Sequence, residues 1–273
     1  MALERSSWIG FIDQVPDGTK RRFNHNCGPG RTLLITQEAG KYQAFCFRCA
    51  EGDGYVRQRT LAELAATLRQ RQQADASCGG VGSKPEPATH DVDAWPKEGQ
   101  LWFYRSGLSR ADIGALGAYY HEPSGRIVLP IPGRDGHAGW WQARAIASGQ
   151  IPKYLGPQDA DRSRVCPRYG KGSRIVLTED ILSAYKIGKA EADAEGWCMM
   201  GTSLQPWVLA QILKRRCPVS VWLDPDPAGQ RAASKVMREL RLYGLAPTNI
   251  VSERDPKRHT YQEIRSYVQR HQG

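Results

Sequence analysis

Apolar and polar positions change their period several times along the chain of 273 residues. The string RTLLITQEAGKYQAFCF, residues 31–47, reads as two strands folded around an EAGK turn. Leu61, Leu64, Ala65 and Leu68 then share one face of a short helix, with Thr60 and Glu63 at capping-box spacing. From 70 to 96 no apolar period survives and Gly, Ser, Ala and Pro dominate, which predicts a flexible linker reaching ~25–30 Å. Beyond it Ser109 is placed to cap a small helix over 108–116. RIVLPI and GHAGWWQARAI follow as strands around a PGRDG turn, and one of Trp140 and Trp141 is expected to face inward and the other outward. From 174 onward, strands at 174–178, 197–200, 219–223 and 249–251 alternate with helices near 181–195, 206–216, 228–242 and 260–269. That alternation predicts a parallel sheet covered on both faces, with ligands at the carboxyl ends of its strands.

Charge adds a partner class. Lys and Arg outnumber Asp and Glu 38 to 28, and the excess is largest, 11 to 6, in residues 98–178. An excess of this size suits either a polyanionic ligand or plain solubility. No apolar run approaches the ~20 residues of a membrane helix, and MALERSSWIG is not the basic-then-apolar start of a leader, so a cytoplasmic protein without a membrane partner is expected. Its seven cysteines therefore need an explanation other than disulfides.

Three of them supply one. His25 and Cys27 form a close pair, and Cys46 and Cys49 form a second pair with the C-x2-C spacing that lets two thiolates chelate one tetrahedral ion. The hairpin between the pairs would bring them together as a zinc ribbon holding one structural Zn²⁺; reduced, buried cysteines on a hairpin are the plainer alternative. Cys78, Cys166, Cys198 and Cys217 read as ordinary free thiols.

Acidic residues gather at the predicted strand ends. Glu179 follows the first strand of the alternating region, Asp224 and Asp226 follow the third, and Asp255 follows the fourth. Carboxylates crowded together in a basic protein repel unless cations neutralise them, and hard oxygen ligands suit Mg²⁺ or Mn²⁺. Asp226 before Pro227 is equally suited to capping a helix.

Taken together, Glu179, the GTSL of 201–204, the DPDPAGQRA of 224–232 and the DP of 255–256 resemble the TOPRIM fold of DnaG-type primases, topoisomerases and some nucleases. GRIVLPIPGRDGHAGWWQARAI and IPKYLGP resemble the segment ahead of TOPRIM in primases, and the ribbon resembles their template-reading domain. The order is that of the primase half of phage primase–helicase proteins. A helicase motor is not expected, since GKGS at 170–173 lacks phosphate-loop spacing. The sequence departs from the family pattern at Asp180, Ser183 and Lys257, the last standing where the family has a second acid.

The resemblance implies an α/β TOPRIM domain at 174–273, a β-rich basic subdomain at 98–173, a linker at 71–97 and a zinc β-ribbon at 1–70. It implies a DNA primase that makes short RNA primers from ribonucleoside triphosphates on single-stranded DNA during phage replication in a bacterial host, beside a separate helicase and DNA polymerase. Glu179, Asp224 and Asp226 would be catalytic and, with Asp255, would hold Mg²⁺ or Mn²⁺. Arg144, Lys153 and Arg126 would face the triphosphate or template, and Arg31, Lys41, Tyr42 and Arg48 would read bases. Asp180 is a substitute ligand in this scheme. A metal-dependent TOPRIM endonuclease and a non-catalytic single-strand-binding zinc protein are the competing readings.

Overall fold

A computed structural model describes residues 3–16, 18–38, 40–57, 60–78, 84–131, 140–157 and 162–271. The chain forms two units, residues 1–77 with 147–153 and residues 78–146 with 154–273.

In the first unit β1 (Lys20–His25), β2 (Gly28–Glu38), β3 (Lys41–Cys46) and β4 (Glu51–Val56) make one antiparallel sheet in sequence order. Alternation decides its faces. Tyr42, Ala44 and Cys46 on β3 are buried with Leu33 and Ile35 of β2, while the residues between them face out. Two 3-10 turns, Arg5–Ser7 and Ile9–Gln14, cover that face with the help of the fully buried Trp8. Helix α1 (Leu61–Ser77) starts at the expected cap, where the Thr60 N–H donates to Glu63 Oε2 at 2.8 Å. Its leucines at 61, 64 and 68 are exposed instead of forming a buried stripe.

The second unit carries α2 (Lys97–Tyr104), α3 (Arg110–Ala115) and an antiparallel sheet of β5 (Tyr119–His121), β6 (Arg126–Pro130), β7 (Trp141–Ala145) and β8 (Tyr154–Leu155). Ser109 and Asp112 close a capping box on α3, as expected. The PGRDG turn lies outside the described residues. Trp140 and Trp141 are both buried, correcting the one-in, one-out expectation: Trp140 belongs to an apolar cluster with Ile131 and Val165, so apolar groups cover its side too.

The following sheet orders as β13 (Thr248–Asn249), β12 (Val219–Val221), β10 (Arg174–Thr178), β11 (Ala194–Cys198) and β9 (Arg168–Gly170), parallel except for β9. Helices α4 (Ile181–Ala190), α5 (Pro206–Arg215), α6 (Pro227–Leu242) and α7 (Tyr261–Arg270) alternate with these strands. Ile175 and Leu177 of β10 face a core built with α5 and α6, and Val176 between them faces a core built with α4 and α7. The sheet is therefore covered on both faces. From β10 the chain runs outward to β11 and then returns across to β12, so strand order reverses between β10 and β12, and the crevice at their carboxyl ends is the topological switch point.

Two boundaries differ from expectation. The helix expected to reach 195 ends at Ala190, and β11 starts at Ala194 and not at 197. The stretch expected to be a linker is structured at both ends: α1 continues to Ser77, and residues 84–96 fold onto the second unit. There Thr89 pairs with Tyr120, the Tyr119 hydroxyl donates to the Pro85 carbonyl at 2.8 Å, and Trp95 is buried, its indole N–H donating to Thr89 O at 2.8 Å. Residues 79–83 of that stretch lie outside the described residues.

Candidate functional site

Two groups of candidate site residues stand out, one in each unit. In the first, β1 ends at His25, Cys27 sits in the tight connection to β2, Cys46 ends β3 and Cys49 lies in the turn to β4. The register pairs His25 with Gly28 and Leu33 with Cys46, which draws both hairpin ends together. The ligand atoms of all four residues lie within 4.8 Å of one another, with Cys27 Sγ to Cys46 Sγ at 3.6 Å and Cys49 Sγ to His25 Nδ1 at 3.5 Å. Tetrahedral zinc with ~2.3 Å bonds to sulfur sets sulfurs about 3.8 Å apart, so the set fits a zinc ion. His25 Nε2 is 3.2 Å from Ser7 Oγ, a contact that would fix the ring with Nδ1 turned to the thiols. Burial disfavours the Cys46 thiolate, but hydrogen bonds from the Cys49 backbone, the Thr32 hydroxyl and the Arg48 backbone outweigh it and push this thiol down to about 6.

Not every expected ribbon contact is offered to a ligand. Tyr42, expected to read bases, is buried in the sheet core, and Arg48 is tied to the Pro29 carbonyl at 2.6 Å; Arg31 and Lys41 are exposed. Phe45 and Phe47 are not among the ribbon residues expected to read bases. Both are exposed, their rings packed edge to face at 5.2 Å, and the Arg22 guanidinium lies 4.7 Å from the Phe47 ring centre. The alternation in FCFRC was the available signal, since residues two apart on a strand share a face.

The second constellation lies at the switch point. Glu179 follows β10 and Asp224 follows β12, and the Asp224 N–H donates to Glu179 Oε1 at 3.2 Å, joining the two strand ends. Gly229 in the first turn of α6 lets that helix pack directly on the Asp224 backbone: a Cβ on it would stand 2.2 Å from Asp224 O and 3.1 Å from Glu179 Oε1. Asp226 caps α6, accepting from the Gly229 N–H at 2.7 Å, so it does serve as a helix cap while its carboxylate stays exposed. Asp180 caps α4, accepting from the N–H groups of Leu182 and Ser183 and from the Ser183 hydroxyl. Asp255 opens the 3-10 turn Pro256–Arg258, and Lys257 Nζ is 3.1 Å from both Asp255 Oδ2 and Asp180 Oδ2.

The electrostatics follow from crowding. Burial, more than any neighbour, pushes Asp224 up to about 7; Lys257 opposes this, while Asp255, Glu179 and Asp180 add to it. Burial also raises Glu179, with the Asp224 N–H opposing and the charges of Asp226 and Asp180 adding. These are carboxylates short of positive charge. Glu179, Asp224 and Asp226 all border the switch point, but among the described residues only His25, Cys27, Cys46 and Cys49 bring their ligand atoms within 4.8 Å of one another.

The loop bearing Asp255 and Lys257 is fixed from two sides. Trp222 Nε1 donates to Ser252 Oγ at 2.8 Å, and that hydroxyl donates to Arg254 O at 2.7 Å. From α4 the buried Lys186 ammonium donates to the carbonyls of Ser106, Lys257 and His259 at 2.7, 2.8 and 2.5 Å. Burial pushes this lysine down to about 8.

Of the expected phosphate-facing cations, Arg144 on β7 stacks between the Trp102 and Tyr154 rings, at 4.9 and 5.3 Å, and donates to the Tyr154 hydroxyl. Burial raises the Tyr154 hydroxyl, with the charges of Asp180 and Lys257 acting on it as well. Arg126 on β6 is buried, opposite His121 and Ala145 in register. Lys153 is exposed, directly ahead of β8, and belongs to the first unit. Beside the acidic end of α6, Pro227, Gln230, Arg231, Ser234, Lys235 and Arg238 line a concave surface with three cations.

No protein-family model matches this chain, and no curated protein matches it by sequence. Solved structures do. The zinc-binding and RNA polymerase domains of the Aquifex aeolicus primase align over 97% of this chain and 83% of theirs, at 12% identity and a TM-score of 0.54. The RNA polymerase domain of Mycobacterium tuberculosis primase DnaG aligns over 77% of this chain and 84% of its own, at 17% identity and a TM-score of 0.54. The same domain in complex with double-stranded DNA aligns at 16% identity and a TM-score of 0.52. The fold is that of the DnaG primase zinc-binding and RNA polymerase domains.

Proposed function

We propose that this chain is a DNA primase with a TOPRIM catalytic domain, joining ribonucleoside triphosphates into short RNA primers on single-stranded DNA. The observation that carries the reading is the pairing, in one chain, of a Cys/His cluster fitted to zinc with carboxylates gathered at the switch point of a parallel sheet. Primer synthesis needs a 3′-hydroxyl deprotonated and a triphosphate neutralised. Glu179, Asp224 and Asp226 would hold Mg²⁺ or Mn²⁺, which would lower the hydroxyl pKa and neutralise the phosphates. The chain supplies the rest: Glu179 is fixed by the Asp224 N–H, and Asp226 is held outward from the start of α6. Arg144, held against the Trp102 and Tyr154 rings, offers a guanidinium to the incoming phosphates.

The concave basic surface of α6 gives a polyanion a path to that site. In the ribbon, Phe45 and Phe47 with Arg22 offer unpaired bases a stacking face. None of the described helices is long and apolar enough to cross a membrane. A primase of this kind would work beside a helicase and a DNA polymerase in a phage-infected bacterial host.

The test supplies the zinc-loaded chain with Mg²⁺ or Mn²⁺, ribonucleotides and a set of single-stranded templates. Short oligoribonucleotides, lost in Asp224→Asn, are the expected product. Cleaved template without synthesis would assign a nuclease, and binding without either product a single-strand-binding protein.

A further inference from the structure

Five carboxylates stand around the switch point, and they are not equally available. Asp180 already accepts from two backbone N–H groups and the Ser183 hydroxyl, and its Oδ2 also meets Lys257 Nζ at 3.1 Å. Asp255 meets the same ammonium at 3.1 Å and has Arg258 Nε at 3.7 Å. The Lys257 side chain is only 18% exposed, so its ammonium is enclosed between these two carboxylates. Its backbone is pinned as well, because the Lys186 ammonium holds its carbonyl and buried Pro256 precedes it. A flexible surface lysine would swing away at little cost; this one is held by both ends of its residue.

We propose that Lys257 is a resident cation of the acidic site, neutralising its Asp180/Asp255 half, so that the chain binds a single divalent ion, on the half formed by Glu179, Asp224 and Asp226. This rests on the metal-site reading given above and refines it. An ammonium bridging two carboxylates supplies the local charge that a second ion would bring, without needing free metal in solution. It cannot offer the open coordination positions of a metal, so binding and aligning the phosphates falls to the single ion and to cations such as Arg144.

The test counts ions. The zinc-loaded full chain is titrated with Mn²⁺, and free Mn²⁺ is followed by electron paramagnetic resonance, with no nucleotide or activity required. One Mn²⁺ per chain is expected, lost in Asp224→Asn. Lys257→Asp should bind two. Lys257→Met should bind its first ion several-fold more tightly, because a like charge has gone from beside it. Two ions in the unaltered chain overturn the proposal, as does a Lys257→Met protein with unchanged affinity. If Lys257→Asp does not fold, the count in the unaltered chain and the affinity of Lys257→Met still decide. No Mn²⁺ in any form would overturn the carboxylate metal site itself, a different failure from a count of two.

Discussion

Asp112 is the side chain on which the second unit converges. Its Oδ1 accepts from the Tyr185 and Tyr261 hydroxyls at 2.9 Å and pairs with Lys189, and its Oδ2 accepts from the Ser109 N–H and hydroxyl. Burial opposes ionisation, yet Lys189 and Ser109 hold this carboxyl well below the usual carboxylate range. Asp112→Asn should cost about 2 kcal/mol in urea unfolding. The sign with pH follows from the depressed value: the stabilisation is complete above the ordinary aspartate value near 4 and fades as pH falls below it, so the difference between the two proteins should shrink from pH 6 towards pH 3. From the sequence Asp112 reads only as the third residue of a helix cap, because Tyr185 and Tyr261 lie 73 and 149 residues away. Glu179 and Asp224 were recognisable because strand-end position is a local signal. Lys257 stood out as a departure from a pattern, and its two partners could be found only in space.

Between elements, backbone contact is decisive where α4 lies on β11. A Cβ on Gly196 would stand 2.0 Å from Ala184 O, and one on Gly188 2.1 Å from Tyr169 O. Gly196→Ala should therefore cost at least ~3 kcal/mol, through a forced shift of α4 from the sheet. Gly114 within α3 meets nothing within 4 Å of an added Cβ, and Gly114→Ala should stabilise by about 0.5–1 kcal/mol. Thermal melts of the two variants should move in opposite directions, and equal shifts would refute the close-packing account. The same glycines explain a misplaced boundary. AEADAEGW has the Ala and Glu of a helix, and only its burial against α4, with the Glu195 carboxylate paired to Arg215, makes it a strand. The segment 84–96 failed for the opposite reason: its Pro-rich, uneven composition hid two anchors, Val92 and Trp95, that bury in the second unit.

At the scale of the whole molecule, the ribbon core of Trp8, Leu33, Ile35, Tyr42 and Cys46 is drawn from the first unit alone. A unit of that size has a modest apolar core, and zinc binding at the ends of its hairpins adds folding free energy directly. Chelating the zinc, or replacing Cys49 with Ser, should therefore abolish the ribbon's calorimetric transition and leave that of the larger unit within about 2 °C of its place, because the parallel sheet takes nothing from those ligands. One transition moving as a whole would show that the units unfold together. Function should divide along the same line. If the ribbon reads template and Glu179, Asp224 and Asp226 carry the chemistry proposed above, losing the ribbon removes initiation that depends on template sequence, while extension of a supplied dinucleotide falls much less. Phe47→Ala should weaken single-strand binding about 5- to 150-fold at fixed salt without releasing zinc, since stacking on one aromatic ring contributes ~1–3 kcal/mol per base. A Phe47→Ala protein that retains its zinc and binds single strands as before would move the template contact away from this ring pair and onto the cations of α6.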